Sequence, residues 1–290
     1  MTNILASATT GRKIVPVFAL IHGVDGIGKS TFAAQAPKPL FLGIETGSLQ
    51  LEVTRLPSPE TYSEFISQLT AVRVEPHSYK TLVVDSLDWL EPIIFAHIVA
   101  ESGCGNIEKY EGGFSKGYIR ALDFWRDIIR ILTILQRKMH IVLIAHTLVK
   151  KFDDPEQNAS YDRYLVGIHE KAASLLRQAV DVVLFCNYKT KVVNIRSTPG
   201  GQTGKGKGSA ERVMYTEHRP AFDAKNRFEL PFEMPLDWRI FGEAIKAFYA
   251  KSAPPAPEPP KPLAEQVIIT PAAPAEPPPQ PAAEPSKEAA

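Results

Sequence analysis

An eight-residue stretch, Gly23-Val-Asp-Gly-Ile-Gly-Lys-Ser30, constrains the fold of this chain more than any other feature. It fits the spacing G-x-x-x-x-G-K-[ST], in which a glycine-rich turn directs successive backbone N–H groups at phosphate oxygens. An apolar run at residues 15–21 precedes the motif, and a helix-competent segment at residues 30–36 follows it. The helix N-terminus would add partial positive charge at the same place. A buried strand, this turn and a helix in that order predict an α/β fold that binds a nucleotide.

The motif, hereafter the P-loop (residues 23–30), assigns roles to its polar side chains. Lys29 would neutralise the β- and γ-phosphates during catalysis, and the Ser30 hydroxyl would ligate Mg²⁺. The alternative is a glycine turn that happens to end in Lys-Ser. The residues predicted to bind ATP are Gly23, Val24, Asp25, Gly26, Ile27, Gly28, Lys29, Ser30 and Thr31.

The composition is that of an ordinary globular protein. Of 290 residues, 44% are hydrophobic and 22% are charged, and the net charge of +1 means that any nucleic-acid site must be local. The two cysteines, Cys104 and Cys186, do not suggest a disulfide framework, and Cys186 lies in an apolar run typical of a buried strand. The sequence predicts neither a signal peptide nor a membrane span, so we expect a cytoplasmic protein.

Apolar segments alternate with helical patterns through most of the chain. Further strands are predicted at residues 40–44, 81–84, 141–145 and 181–186. Helical spacing marks residues 61–74, 87–98, 119–135 and 170–179. This alternation predicts an α/β fold with a mostly parallel central sheet and helices on both faces. In such a sheet, ligands bind at the carboxyl ends of the strands.

The pattern changes after Cys186. Residues 191–196 and 212–216 flank a glycine-rich stretch, which predicts a C-terminal β-hairpin with a long mobile tip. A last amphipathic helix is predicted at residues 237–249, with Asp237 as its N-cap.

The domain organisation follows from a change in composition near Lys251. Residues 251–290 are mostly Pro, Ala and Glu, and they predict a disordered tail that cannot bury enough apolar surface to fold. We therefore expect a flexible N-terminus at residues 1–11 and an ordered P-loop ATPase domain at residues 12–250.

Two acidic residues follow predicted strands and would lie beside the P-loop. Asp85 ends the apolar run Thr81-Leu-Val-Val and could hold Mg²⁺ directly or through water. Glu45 follows the second strand and could activate the water molecule that attacks ATP. Alternatively, Asp85 or Ser86 could cap a helix, and Glu45 could cap a turn.

His146 and Thr147 end the strand at residues 141–145. At this position His146 could sense the γ-phosphate, act in catalysis and pass the signal to the next loop. The alternative is a histidine with a structural role, satisfied by local hydrogen bonds.

Two segments offer basic and aromatic side chains to a single strand of nucleic acid. Residues 148–166 are charged and poor in apolar residues, which predicts a long functional loop, and the glycine-rich hairpin tip is the second segment. Both could instead be solvated surface loops. The predicted DNA contacts are Lys150, Lys151, Arg163, Lys205 and Lys207.

Together these motifs resemble the RecA-like core ATPases and, within them, the phage nucleotide-binding proteins of the Sak-type single-strand annealing group. The likeness rests on the P-loop, on Glu45, on Val-Val-Asp85-Ser86 and on Ile-Ala-His146-Thr147. A fifth piece, Arg219-Pro-Ala-Phe-Asp-Ala-Lys-Asn-Arg227, is similar to a signature near the C-terminus of that group.

The resemblance implies further roles. Glu45 matches the catalytic glutamate, and His146 takes the position of a polar sensor that is Gln in RecA. Lys225 and Arg227 would reach the nucleotide of a neighbouring subunit in a homo-oligomeric ring or filament, where a cation stabilises the transferring phosphoryl group. A basic surface turn is the alternative for these two residues. The extra terminal domains of RecA have no counterpart in the sequence, which favours annealing or an accessory role over strand exchange.

The expected function is that of an ATP- and Mg²⁺-dependent recombination protein that binds single-stranded DNA, in the cytosol of the host if phage-encoded. The tail could recruit a single-strand-binding protein. Two alternatives remain open, a P-loop small-molecule kinase and an ATP-switched adaptor similar to a helicase loader. A kinase usually carries an arginine-rich lid, whereas the corresponding region here is rich in glycine and lysine.

Overall fold

The computed structural model describes residues 4–153, 160–193 and 205–251. The strands are β1 Phe18–Gly23, β2 Pro39–Gly43, β3 Thr54–Leu56, β4 Thr81–Asp85, β5 His140–Phe152, β6 Tyr161–Val166, β7 Val182–Val193, β8 Lys205–Tyr215, β9 Lys225–Asn226 and β10 Glu233–Pro235. The α-helices are α1 Lys29–Ala34, α2 Tyr62–Val74, α3 Leu87–Ser102, α4 Lys116–Gln136, α5 Glu170–Ala179 and α6 Trp238–Ala250.

The strands form one sheet in the order β10-β8-β7-β1-β5-β4-β2-β3, with β6 paired to β5 and β9 paired to β7. The six strands from β7 to β3 in this order run parallel. The pairs that involve β6, β8, β9 and β10 are antiparallel. The predicted α/β fold with a mostly parallel sheet is confirmed, and it is the arrangement of a RecA-like P-loop fold.

Buried side chains form two hydrophobic cores, one on each face of the sheet. Alternate residues of β1 point to opposite faces, so that Phe18 and Leu20 join one core and Ala19 and Ile21 join the other. Helices α2 to α5 cover the first core, and helices α1 and α6 cover the second. Because both faces are covered, the central strands appear in the sequence as continuous apolar runs.

The strand register brings the carboxyl ends of four strands to the same edge. Gly23 of β1 lies beside His146 of β5. Asp85 of β4 lies beside Gly43 of β2 on one side and Ile144 of β5 on the other. The residues that follow these strands therefore surround the P-loop, as expected for a parallel α/β sheet.

The prediction of a loop at residues 148–166 is wrong for most of its length. Strand β5 continues to Phe152, and β6 returns antiparallel to it, with Thr147 opposite Val166 and Phe152 opposite Tyr161. β-branched and aromatic residues in both arms favour a hairpin even though charged residues lie between them. Residues 154–159, at the turn, lie outside the described residues.

The C-terminal β-hairpin is confirmed, but its first arm begins earlier than predicted. The strand predicted at 181–186 and the described part of the arm predicted at 191–196 belong to the single strand β7, which ends at Val193 and pairs antiparallel with β8. The hairpin tip, residues 194–204, lies outside the described residues. Strand β3 was not predicted, because three residues at the sheet edge are too few to give a periodic signal.

The ends of the domain carry two further features. Asp237 caps α6 by accepting hydrogen bonds from the backbone N–H groups of Arg239 and Ile240, which confirms the predicted N-cap. Residues Ile4–Ser7 form a short 3-10 helix.

The predicted disordered tail lies outside the described residues except for Lys251. None of the described helices combines the length and the apolar character needed to cross a lipid bilayer.

Candidate active site

The P-loop curves around an open space at the carboxyl end of β1. Gly26 and Gly28 have φ angles of 70° and 107°, a left-handed region that strongly favours glycine. The Nζ of Lys29 donates hydrogen bonds to the carbonyl oxygens of Gly23 at 3.0 Å and Val24 at 3.2 Å. Burial lowers the pKa of Lys29. The lysine is thus held over the turn, where phosphate oxygens could replace these carbonyl oxygens.

Ser30 and Asp85 form the part of the site that suits a divalent cation. The Ser30 hydroxyl donates a hydrogen bond to Asp85 Oδ2 at 2.7 Å. Asp85 Oδ1 is buried and has no hydrogen-bond partner among the described residues. Burial raises the pKa of Asp85 to about 6, and the Ser30 hydrogen bond opposes this rise. An unsatisfied carboxylate oxygen beside a hydroxyl fits the oxygen ligands that Mg²⁺ prefers.

The alternative role of Asp85 or Ser86 as a helix cap is met only in position, and only by Ser86. Ser86 is the N-cap residue of α3, but its side chain makes no capping hydrogen bond. Its hydroxyl donates instead to Glu45 Oε2 at 3.1 Å, and the backbone N–H of Glu45 donates to the carbonyl oxygen of Asp85 at 3.3 Å. These contacts fix Glu45 beside the end of β4. Its side chain is 14% exposed, so the carboxylate is shielded from bulk solvent yet faces the cavity.

His146 is bound to Asp88, a residue that no sequence motif marks as part of the site. Asp88 Oδ2 accepts a hydrogen bond from His146 Nδ1 at 2.7 Å, and Nδ1 also lies 3.8 Å from Glu45 Oε2. Ligand atoms of Glu45, Asp88 and His146 lie within 4.8 Å of one another, a spacing that a metal ion could use. The Asp88–His146 hydrogen bond accounts for the close approach of these two side chains without a metal ion.

Lys29, Ser30, Glu45 and His146 line one open cavity of about 520 Å³, together with Arg212 from β8. The Nη1 of Arg212 lies 3.1 Å from the position that a Cβ on Gly28 would take. The Arg212 side chain is exposed, and its guanidinium makes no hydrogen bond or ion pair with the rest of the described chain. Only the register of β7 with β8, which sets Tyr188 opposite Arg212, brings this cation to the P-loop. No local pattern in the sequence predicts this contact.

His22, the residue before the P-loop, links the site to the second half of the chain. It is fully buried, and its Nε2 donates a hydrogen bond to the carbonyl oxygen of Asp223 at 2.9 Å. Its Nδ1 lies 3.1 Å from the hydroxyl oxygen of Thr147 on β5. Burial lowers the pKa of His22 to about 4. His22 is therefore a neutral structural residue that ties β1 to β5 and to the segment before β9.

A family model described as an AAA domain matches residues 16–228, a range that contains every side chain of this cavity. The chain belongs to the AAA domain family. AAA domains are P-loop domains of nucleotide-binding ATPases, so the family agrees with the geometry of the site. No curated protein matches the sequence.

Of the five predicted DNA contacts of this AAA domain, three have described side chains, and these lie in two environments. Lys150 and Lys151 are exposed on the arm of β5 that extends past the P-loop edge. Arg163 on β6 is only 15% exposed, because its guanidinium pairs with Asp223 at 2.6 Å. The side chains of Lys205 and Lys207 lie outside the described part of the structure. DNA binding by these residues stays a prediction.

Lys225 and Arg227 of the AAA domain lie away from its own P-loop. Strand β9 pairs with the first residues of β7, at the opposite edge of the sheet. The Nζ of Lys225 donates to the carbonyl oxygens of Arg177 at 2.6 Å, Gln178 at 3.2 Å and Val180 at 2.7 Å, which satisfies the C-terminal end of α5. Lys225 thus has a structural role, and contact with a neighbouring nucleotide stays a prediction.

Proposed function

We propose that the protein is a Mg²⁺-dependent ATPase that binds single-stranded DNA and promotes annealing or an accessory step of recombination. One observation carries the catalytic part. Lys29, Ser30 and the shielded carboxylate of Glu45 line one cavity, and Asp85 joins them through its hydrogen bond with Ser30. These groups come from three different strand ends. This combination is what phosphoryl transfer to water requires.

Glu45 is the group suited to activate water. Its Oε2 is held by Ser86, and its carboxylate faces the cavity beside the phosphate site. A water molecule between Glu45 and the γ-phosphorus would lose a proton to Glu45 as its oxygen bonds to phosphorus. The bond from phosphorus to the β–γ bridging oxygen breaks, and ADP takes up the electron pair.

Cations around the phosphates would stabilise the charge that develops on them. Lys29 would exchange its two carbonyl partners for phosphate oxygens, and Arg212 would approach the same oxygens from β8. Ser30 and Asp85 would hold Mg²⁺, which neutralises phosphate charge when it is bound. Because Arg212 belongs to the same chain as the P-loop, an isolated subunit already has two cations at the phosphates.

The β5–β6 hairpin supports the proposal of nucleic-acid binding. It extends from the strand that carries His146, so a ligand on the hairpin would lie close to the nucleotide. Lys150 and Lys151 are exposed on one arm, and Phe152 is 37% exposed at its end. Exposed cations beside an aromatic ring suit the backbone and bases of a single strand.

Assembly and partners belong to the same proposal. We expect a ring or filament of identical subunits, with single-strand-binding protein as a candidate partner of the tail. Arg227 is better suited than Lys225 to reach a neighbouring nucleotide. Its side chain is 51% exposed, and among the described residues its guanidinium bonds to Asp181 at 3.3 Å and to the carbonyl oxygen of Gln178 at 3.3 Å.

The test combines turnover with DNA binding. Phosphate release from Mg²⁺-ATP is measured with and without single-stranded DNA, for the wild-type protein and for Lys29→Ala, which should be inactive. A Lys150→Ala/Lys151→Ala double variant should bind DNA more weakly, with a salt slope smaller by about 2. Lys138→Ala/Lys246→Ala changes the same charge at exposed positions, one in the turn after α4 and one on α6, and is the matched control.

Three results would contradict the proposal. Absence of turnover by the wild-type protein would refute the ATPase, and equal DNA binding by both double variants would refute the role of the hairpin. Turnover that requires an added nucleoside or metabolite, rather than water, would favour the kinase alternative.

A further inference from the structure

Asp88 holds His146 with both of its carboxylate oxygens. Oδ2 accepts a hydrogen bond from the ring Nδ1 at 2.7 Å, and Oδ1 accepts one from the backbone N–H of His146 at 2.9 Å. Asp88 lies in the first turn of α3 and is 16% exposed, so water competes little for these bonds. One bond to the ring and one to the backbone fix the imidazole relative to the end of β5.

These bonds determine which nitrogen faces the phosphate site. An ionised carboxylate can only accept, so Nδ1 carries a proton directed at Asp88. Burial alone would raise the pKa of Asp88, but the hydrogen bonds from His146 outweigh it and lower this pKa, which keeps Asp88 ionised. Nε2 then faces the P-loop, 3.7 Å from Asp25 Oδ1, and the ring lines the cavity that contains Lys29.

We propose that Asp88 is a positioning residue for ATP hydrolysis, which orients His146 so that its Nε2–H donates a hydrogen bond to the γ-phosphate. This inference rests on the proposed ATPase function. A neutral ring with its proton on Nδ1 would turn a lone pair toward the phosphate, so the donor is the imidazolium form. Asp88 therefore supports both the orientation of the ring and its charge.

The surroundings of the ring favour that charge. The hydrogen bond to Asp88 raises the pKa of His146, and partial burial opposes this rise. Carboxylates outnumber cations around the ring. Among the described residues, the charged groups around the ring are Asp25 of the P-loop, Lys29 of α1, Glu45 after β2, Asp85 of β4 and Asp88 of α3, with Arg212 of β8 in the same cavity.

The variant Asp88→Asn separates orientation from charge. The amide oxygen can still accept from the backbone N–H of His146, while the amide NH₂ donates to Nδ1 and leaves the proton of a neutral ring on Nε2. The variant thus keeps a donor at Nε2 but loses its positive charge. We expect kcat to fall roughly tenfold or more. The wild-type kcat should decrease as pH rises through the pKa of His146, and this decrease should be absent from Asp88→Asn.

Two further variants complete the series. His146→Gln offers a donor that does not titrate, so its kcat should be lowered and equally independent of pH over this range. Asp123→Asn removes an exposed carboxylate on α4 that pairs with Arg120 and Arg126, and it should match the wild-type protein in rate and pH profile.

A titration of the nucleotide-free protein makes the test independent of turnover. Long-range ¹⁵N–¹H spectra of protein labelled at its seven histidines report the protonation of each ring, and the signal lost in His146→Gln identifies His146. We expect His146 to titrate above the ordinary histidine pKa of about 6.5 in the wild-type protein, and at a lower pH in Asp88→Asn.

The outcomes can be told apart. Identical titration of His146 in the wild-type protein and Asp88→Asn, or an unchanged kcat and pH profile in Asp88→Asn, would overturn the positioning role. If the wild-type protein hydrolyses no ATP, the proposed function fails and the positioning role fails with it, whatever the titration shows.

Discussion

The buried imidazole of His22 gives the stability of this fold a defined dependence on pH. Burial lowers the pKa of His22 from 6.5 to about 4, and Lys29 and Arg177 act in the same direction, although Asp223 opposes them. The neutral ring is satisfied at both nitrogens, since Nε2 donates to the carbonyl oxygen of Asp223 and Nδ1 accepts from the Thr147 hydroxyl. Folding therefore excludes a proton that the unfolded chain binds.

The sign and size of the effect follow from this difference in pKa. The unfolded chain binds a proton at His22 as pH falls below 6.5, whereas the folded protein does so only near pH 4. The contribution of His22 to stability is therefore complete above pH 6.5 and is lost as pH falls toward 4. A shift from 6.5 to about 4 corresponds to roughly 3 kcal/mol of unfolding free energy at pH 4.

Urea unfolding at a series of pH values from about 7 to 4 measures this contribution directly. His22→Gln keeps hydrogen-bonding groups but does not titrate, so the wild-type protein should lose roughly 3 kcal/mol more than this variant over the range. His77→Gln changes an exposed histidine and should follow the wild-type protein. Parallel losses in the wild-type protein and His22→Gln would refute the argument that burial keeps this ring neutral.

Three other substitutions test individual contacts. Glu45→Gln should bind ATP normally but lower kcat by about 10²-fold or more. The control Glu52→Gln, at an exposed position, should leave kcat unchanged. Turnover that survives in Glu45→Gln would exclude water activation by this residue. Arg212→Met should weaken ATP binding roughly tenfold in calorimetry, and equal affinity in Arg212→Met and the exposed control Arg239→Met would exclude a phosphate contact. Lys225→Met leaves three carbonyl oxygens at the end of α5 without their donor. It should therefore lower the unfolding free energy by about 1–2 kcal/mol relative to the control Lys246→Met, and it should not change ATP binding.

The sequence predicted those parts of the site that depend on neighbours along the chain. The P-loop is contiguous, so its turn could be identified from glycine spacing alone. Glu45, Asp85 and His146 each follow an apolar run, and the carboxyl ends of parallel strands share one edge. Their proximity was therefore predictable once the sheet was known to be parallel.

The remaining features depend on long-range register, which local patterns do not encode. An acidic residue at position 88 looks like an ordinary first-turn acid that complements the helix dipole, and only the pairing of β4 with β5 brings it to His146. Arg212 reaches the P-loop through the register of β7 with β8. The β5–β6 hairpin was overlooked because its charged residues obscured the β-forming residues between them.

The net charge around the cavity depends on the same contacts. The described side chains around the cavity include four carboxylates, those of Asp25, Glu45, Asp85 and Asp88, against the cations Lys29 and Arg212 and the imidazole of His146. An ATP tetra-anion approaching this set meets net negative charge unless some of the carboxylates are neutralised. Pairing with His146 neutralises the charge of Asp88, and a cation held by Ser30 and Asp85 would neutralise the charge of Asp85. The two contacts that prepare the site for ATP hydrolysis therefore also allow ATP to bind.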